Sequence, residues 1–240
     1  MAVAAPAEVR AVLRGLGDPG TEIPGAWESR PIGDRFEVLV TGVGKANACG
    51  AVSRQLARSS YGAVVSAGIA GVLPSAPASI VLGTVVAADV VCMADEGVET
   101  PEGFVSIASL GFDPLPGGES LPVASGVLGW LRGVTECVGT IATVSVCSGT
   151  DAAAGRVAGR TGAVAEAMEG AGVALAAVRA GVAFGEIRAI SNTTGDRSGQ
   201  RWDLPRALSS LEHAVRTMAA SVPSLFSDVG DGSAGGAGAS

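Results

Sequence analysis

Between Arg58 and Asp89 the chain runs for thirty residues, Ser59 to Ala88, without a single charge. By length alone such a stretch can span a bilayer. Pro74, Pro77, four glycines and five serines interrupt it, so it lacks the run of about 18 apolar residues that a membrane helix needs. It reads instead as two buried strands joined by a close-packed, glycine-rich loop, and no membrane partner is expected.

Charge is sparse elsewhere too. Of 240 residues, 16 are basic and 23 acidic, for a net charge of −7; Lys45 is the sole lysine and His213 the sole histidine. Without a basic block the chain has no electrostatic footprint for nucleic acid or an anionic membrane surface. Cys49, Cys92, Cys137 and Cys147 show no paired spacing, so neither a disulfide framework nor a metal site is expected, and no cofactor. The opening MAVAAPAEVR turns acidic too early for a signal peptide. A cytoplasmic location is expected.

Strand-like and helix-like segments alternate. Strands are predicted at 36–42, 62–68, 83–93, 138–146, 163–167 and 183–191, and helices at 45–58, 121–133, 152–160 and 169–181. Residues 94–120 have no period and read as a long loop. Leu204, Leu208, Leu211, Val215 and Met218 form one apolar helical stripe, with Asp203 as N-cap and Pro205 in the first turn. The order implies a three-layer α/β domain with a central mixed, largely parallel sheet over residues 1–227. Residues 228–240, rich in Gly, Ala and Ser, read as a disordered tail.

Most catalytic signatures fail. TGVGKAN (41–47) sits at a strand-to-helix junction that suits an anion. It lacks the glycine at 39 and the Ser or Thr at 46 of a P-loop, and the glycine at 47 of a dinucleotide fingerprint; a tight turn explains it as well. No serine has a nucleophile-elbow context. His213 falls on the polar side of the last helix and has no second histidine to share a metal with. Carboxylate chemistry remains.

Four segments at strand ends carry small or polar residues that core packing does not require: APAEV (5–9), GIAGVL (68–73), EAMEGAG (166–172) and RAISNTTGDR (188–197). In parallel α/β sheets such ends line the ligand crevice. Glu169 heads a helix otherwise made of Gly, Ala, Val and Leu. It is either an acid favoured by the helix dipole or a buried carboxylate that accepts hydroxyl hydrogen bonds. Asn192 directly follows a buried strand, where an ordinary strand-exit Asn is also common.

With LVTGVGKANA (39–48), SAGIAGVL (66–73), GTVVAADVV (83–91), AMEGAGVA (167–174) and IRAISN (187–192) in this order, the chain resembles the nucleoside phosphorylase/hydrolase superfamily, in particular its purine nucleosidases. The likeness covers roughly residues 5 to 220. It implies a purine nucleoside and water as substrates and a homo-oligomer whose contact the apolar 83–93 region could supply. It also implies roles: Glu8 activates water, Glu169 accepts the ribose hydroxyls, Met168 lies along the ribose, Gly71 sits in a loop near water or sugar, and Asn192 serves the leaving base.

Asn192 departs from the adenine-specific members, which carry an aspartate there. An amide NH₂ can donate to the carbonyl of a 6-oxopurine, where a carboxylate would set acceptor against acceptor; hypoxanthine or guanine is therefore the expected leaving base. Arg197 and Arg201, with Trp202 to stack on a ring, are candidates to bind an acidic tail on the ribose; solvated arginines heading a helix fit equally. Ser66 stands where a bacterial purine phosphorylase places an arginine, and a phosphate dianion without cations is costly, so hydrolysis is expected over phosphorolysis unless Lys45 supplies the counter-charge. A non-catalytic nucleoside-binding protein remains the reading from another class. The strand that should deliver Glu8 has only MAVAA (1–5) to form it.

Overall fold

The computed structural model describes residues 1–135 and 137–223. In chain order its elements are β1 (Ala2–Val3), α1 (Pro6–Gly15), β2 (Ser29–Ile32), β3 (Phe36–Val40), α2 (Lys45–Leu56), β4 (Ala63–Val72), β5 (Val85–Met93), β6 (Gly97–Thr100) and β7 (Gly103–Ser106). A 3₁₀ turn at Ala108–Leu110 precedes β8 (Ser120–Pro122), α3 (Ser125–Arg132), β9 (Val138–Thr143), α4 (Asp151–Thr161), β10 (Ala165–Ala167), α5 (Gly170–Arg179), β11 (Ala183–Thr193) and α6 (Leu204–Ala220).

The main sheet is mixed and runs β10-β9-β5-β11-β4-β1-β3-β2, with β8 on β5. β4 pairs in parallel with β11 along its whole length. Its last residues also pair antiparallel with β10, Val72 against Ala165 and Gly71 against Glu166. That second pairing closes β4, β11, β5, β9 and β10 into a ring, from which β1, β3 and β2 extend. Although only two residues long, β1 pairs on both sides, Ala2 with Leu39 and Ser66, and Val3 with Val40. The short opening strand is therefore anchored.

Side chains alternate across β11. Gly185 faces α3, where a Cβ would stand 2.7 Å from Val127 and 3.0 Å from Leu131. Glu186 faces the start of α5, where a Cβ on Gly170 would overlap its carboxylate. Helices thus cover both faces of this strand. α1 crosses α6 at Gly15, whose missing side chain leaves room for the Glu212 carbonyl and Val215. Val9, Val12, Leu13, Val38, Val86, Val91, Ile141, Ile187, Ile190, Leu211 and Val215 are buried in one apolar cluster; each such side chain contributes about 1.5–3 kcal/mol relative to exposure.

Several expectations need correction. GIAGVL is not a loop, because β4 continues through Val72; its glycines are small because the side chains of Glu8, Arg188, Asn192 and Thr194 crowd against them, not because the chain turns. The 83–93 region is largely interior: β5 lies inside the sheet between β11 and β9, with Val86, Ala87, Ala88, Val91 and Cys92 buried and Val85, Asp89 and Val90 half-buried. Residues 94–120 carry the β6–β7 hairpin. Leu204, first of the apolar stripe, is exposed, while Leu211, Val215 and Met218 are buried. Asp203 caps α6 by accepting the Arg206 N–H at 3.1 Å, and His213 is exposed. The tail at 228–240 lies outside the described residues. No helix among the described residues is long and apolar enough to cross a membrane.

Candidate active site

Glu8 enters from the first turn of α1, which Pro6 opens. Its Oε2 accepts the Ala5 N–H at 2.8 Å, closing half of a capping box. Its Oε1 leaves the helix and accepts the Ile69 N–H of β4, also at 2.8 Å. The carboxyl is buried. Burial pushes it above the ordinary glutamate range, against the opposing pull of Arg188 and the two backbone N–H groups.

Glu169 occupies the N-cap position of α5, yet its side chain caps nothing on that helix. Oε1 accepts the Gly44 N–H at 3.1 Å, and Oε2 pairs with Arg188 Nη1 at 3.2 Å. Gly44, with φ of 97°, is the turn of the TGVGKAN junction. The amide that could have served a bound anion is directed at a carboxylate of the protein itself.

Arg188 is the residue that sequence reasoning missed. It is 1 % exposed in the middle of β11 and uses every side of its guanidinium. Nε donates to Glu186 Oε1 at 2.7 Å, Nη2 donates to Ser66 Oγ at 2.9 Å, and Nη1 faces Glu169. The bare Cα of Gly68 makes room for both partners, since a Cβ there would overlap Arg188 Nη1 and stand 2.6 Å from Glu8 Oε1. Burial disfavours the cation, but Glu186, Glu169 and Glu8 together outweigh it and raise its pKa. The signal was present in sequence: Glu186 and Arg188, two apart on a strand buried on both faces, must be paired with something.

At the far end of β11 a bulge sets Asn192. The pairing runs from Ile190 opposite Ala70 directly to Asn192 opposite Gly71, leaving Ser191 as the extra residue. Ser191 Oγ donates to Asn192 Oδ1 at 2.8 Å, and Asn192 Nδ2 donates to the Thr193 carbonyl at 3.0 Å. The amide oxygen is thereby occupied, while its NH₂ keeps a second hydrogen. Gly71 is packed against this group, with an ideal Cβ 3.1 Å from Asn192 Nδ2. Gly68 and Gly71 lie about 10 Å apart along the strand by its rise, so the carboxylates and the amide sit at successive levels of β4.

Met168 is half-buried between β10 and Glu169. The chain after β11 folds back so that Trp202 lies opposite Asn192 and the Thr193 N–H reaches the Arg201 carbonyl at 3.0 Å. The side chains of Arg197, Arg201 and Trp202 are exposed, with the Arg197 guanidinium 5.1 Å from the Trp202 ring centre. The structure gives these three no contact with Glu8, Glu169 or Arg188. Lys45 is held by Asp95 at 2.5 Å and Glu96 at 2.7 Å. A further carboxylate, Glu166, is buried beside Gly71 and accepts from both the Ser148 N–H and Oγ.

The family model for the phosphorylase superfamily matches residues 32–227. A futalosine hydrolase of Streptomyces coelicolor is 39 % identical over 91 % of this chain and 94 % of its own length. One from Acidothermus cellulolyticus is 43 % identical over 77 % of this chain and 75 % of its own. Among solved structures, a 5′-methylthioadenosine/S-adenosylhomocysteine nucleosidase of Colwellia psychrerythraea in complex with adenine superposes with a TM-score of 0.70 at 19 % identity, covering 91 % of this chain and 93 % of that one. The futalosine hydrolase of Helicobacter pylori gives 0.65 at 18 % identity, over 91 % and 92 %. At those identities the structures speak for the α/β fold, and the curated relatives for descent: the chain belongs to the phosphorylase superfamily and, within it, to the futalosine hydrolases.

Proposed function

We propose that this chain hydrolyses the N-glycosidic bond of futalosine, releasing hypoxanthine and dehypoxanthine futalosine, a step of the futalosine route to menaquinone. The observation that carries the mechanism is the pair of buried carboxylates, Glu8 and Glu169, arranged around one guanidinium. Glu8, its carboxyl raised by burial, is suited to take a proton from water as the water oxygen adds to the ribosyl C1′ and the bond to the purine breaks. Glu169 accepts the ribose hydroxyls and faces the positive charge that develops on the sugar. Met168 and Gly71 line the sugar and base.

Asn192 serves the departing base. With its oxygen engaged by Ser191, its free N–H donates to a 6-oxopurine as the base leaves with the bonding electron pair and takes its proton from solvent. Arg197, Arg201 and Trp202 form the mouth that receives an acidic, aromatic tail.

Water rather than phosphate fits the charge. Arg188 is committed to Glu186 and Glu169, and Lys45 to Asp95 and Glu96. A phosphate dianion beside Glu8 and Glu169 would therefore meet carboxylates whose neighbouring cations are already paired, while Arg197 and Arg201, in no ion pair among the described residues, lie at the mouth. Chromatography of purified protein with futalosine, inosine and methylthioadenosine, each with and without phosphate, tests the reading. Hypoxanthine from futalosine regardless of phosphate supports it; phosphate-dependent turnover or no base release defeats it. A homo-oligomer in the cytoplasm belongs to the same reading, and light scattering after size exclusion checks the assembly.

A further inference from the structure

Glu186 touches none of the groups assigned to the reaction except Arg188, and a carboxylate in the middle of a buried strand is expensive unless it is used. It is 0 % exposed. Oε1 takes the Arg188 Nε–H at 2.7 Å, while Oε2 has no hydrogen-bond partner. Room for it exists only because residue 170 is glycine. An arginine that merely needed neutralising already has Glu169 on Nη1, with Ser66 accepting from Nη2.

We propose that Glu186 is a positioning residue of the hydrolytic site: by gripping Arg188 at Nε it fixes the guanidinium plane between Glu169 and Glu8, and its charge offsets the guanidinium beside Glu8. The inference rests on the hydrolase reading above. The charged and titratable groups around Glu186 are Arg188 on its own strand, Glu169 at the head of α5 and the Cys92 thiol of β5; those acting on Glu8 are Arg188 and Glu169. Without the Glu186 charge, Arg188 is less neutralised and draws Glu8 more strongly into its ionised form. Glu8 then becomes a weaker base, ionised at lower pH.

Two substitutions separate charge from reach. Glu186→Gln keeps the shape and removes the charge: kcat for futalosine should fall about tenfold or more with KM nearly unchanged, and the acidic limb of the pH–rate profile should move down by about half a unit or more. Glu186→Asp keeps the charge and shortens the grip: kcat should fall while the limb stays put. Either variant that folds, judged by a cooperative melt, is informative alone. A Gln variant with the wild-type limb and rate, or an Asp variant with wild-type kcat, overturns the proposal. ¹³C-detected titration of the Glu8 carboxylate needs no turnover: its midpoint should drop in Glu186→Gln, and an unmoved midpoint overturns the proposal even if futalosine proves not to be the substrate. Failure of wild-type protein to release hypoxanthine would instead fall on the functional reading.

Discussion

Glu8 Oε1 accepts the backbone N–H of Ile69 at 2.8 Å across 61 positions of sequence, tying the first turn of α1 to the middle of β4. One carboxyl oxygen is thus fixed by the sheet and the other by its own helix at Ala5. Glu8→Gln should lower kcat by about 10²–10⁴, the usual span for a lost general base, with KM changed little. Because burial raises the Glu8 carboxyl, wild-type activity should fall on acidification at a pH above the ordinary glutamate value of about 4.3. Initial rates across pH check both; a glutamine variant retaining near-normal kcat would remove Glu8 from the mechanism.

Glu169→Gln keeps an acceptor for the Gly44 N–H but breaks the ion pair with Arg188. The expected loss in kcat is about 100-fold or more, from the missing negative charge opposite the ribosyl cation. Circular dichroism should show an intact fold, since α5 takes no side-chain cap from this residue. Turnover close to wild type would exclude the proposed role.

Asn192→Asp tests base selection. Ser191 Oγ and the Thr193 carbonyl fix the amide, and an aspartate in its place would turn an acceptor toward the purine carbonyl. The ratio of kcat/KM for a 6-oxopurine over its 6-amino counterpart should drop at least about 100-fold, the scale of discrimination when a buried polar group goes unpaired. Paired assays with inosine- and adenosine-type substrates measure it, and an unaltered ratio would mean that specificity lies elsewhere.

The site was legible in outline because its segments carry small or polar residues at strand ends that core packing does not require. Glu169 and Asn192 stood out at strand ends for want of a packing reason, Glu8 and Gly71 came from the resemblance, and the structure gathers their segments at β4 and β11. What stayed hidden was pairing. Arg188 looked like one charged residue in a strand, and only the packed structure brings Ser66 of β4 and Glu169 at the head of α5 to its guanidinium. Gly68 and Gly71 misled in the opposite direction: glycine signals loops, but here it yields space to Glu8, Arg188 and Asn192 inside a strand. The β6–β7 hairpin escaped because Val98 is exposed and no buried alternation marks it.

Arg197 and Arg201 are proposed to bind the acidic tail from solvent-facing positions, Arg197 beside Trp202. Arg197→Ala and Arg201→Ala should each raise the KM for futalosine several-fold, leave kcat within about twofold and leave inosine, which has no acidic tail, unaffected. Exposed ion pairs are worth only about 0.2–1 kcal/mol each, so the double variant should show the clearer effect. If KM for futalosine is unchanged in both, the tail is held by something else.

Stability should also follow pH in an unusual direction. Burial raises the carboxyls of Glu8, Glu166 and Glu186 above the value of 4.5 that they have when exposed in the unfolded chain. Wherever the three are ionised in both states, the folded state carries the penalty of burying the charge. As pH falls through the raised folded values toward 4.5, the folded chain takes up protons before the unfolded chain does, so folding gains stability. That gain is complete below the unfolded value and is lost again as pH rises through the folded ones. Glu212, lowered by its hydrogen bond to Arg14, acts the other way, but its contribution is lost only below 4.5. The melting temperature should therefore be higher near pH 5 than at pH 7.5, and Glu166→Gln should flatten the slope. A melting temperature that falls steadily from pH 7.5 to 5 would mean that these carboxyls titrate as if they were exposed.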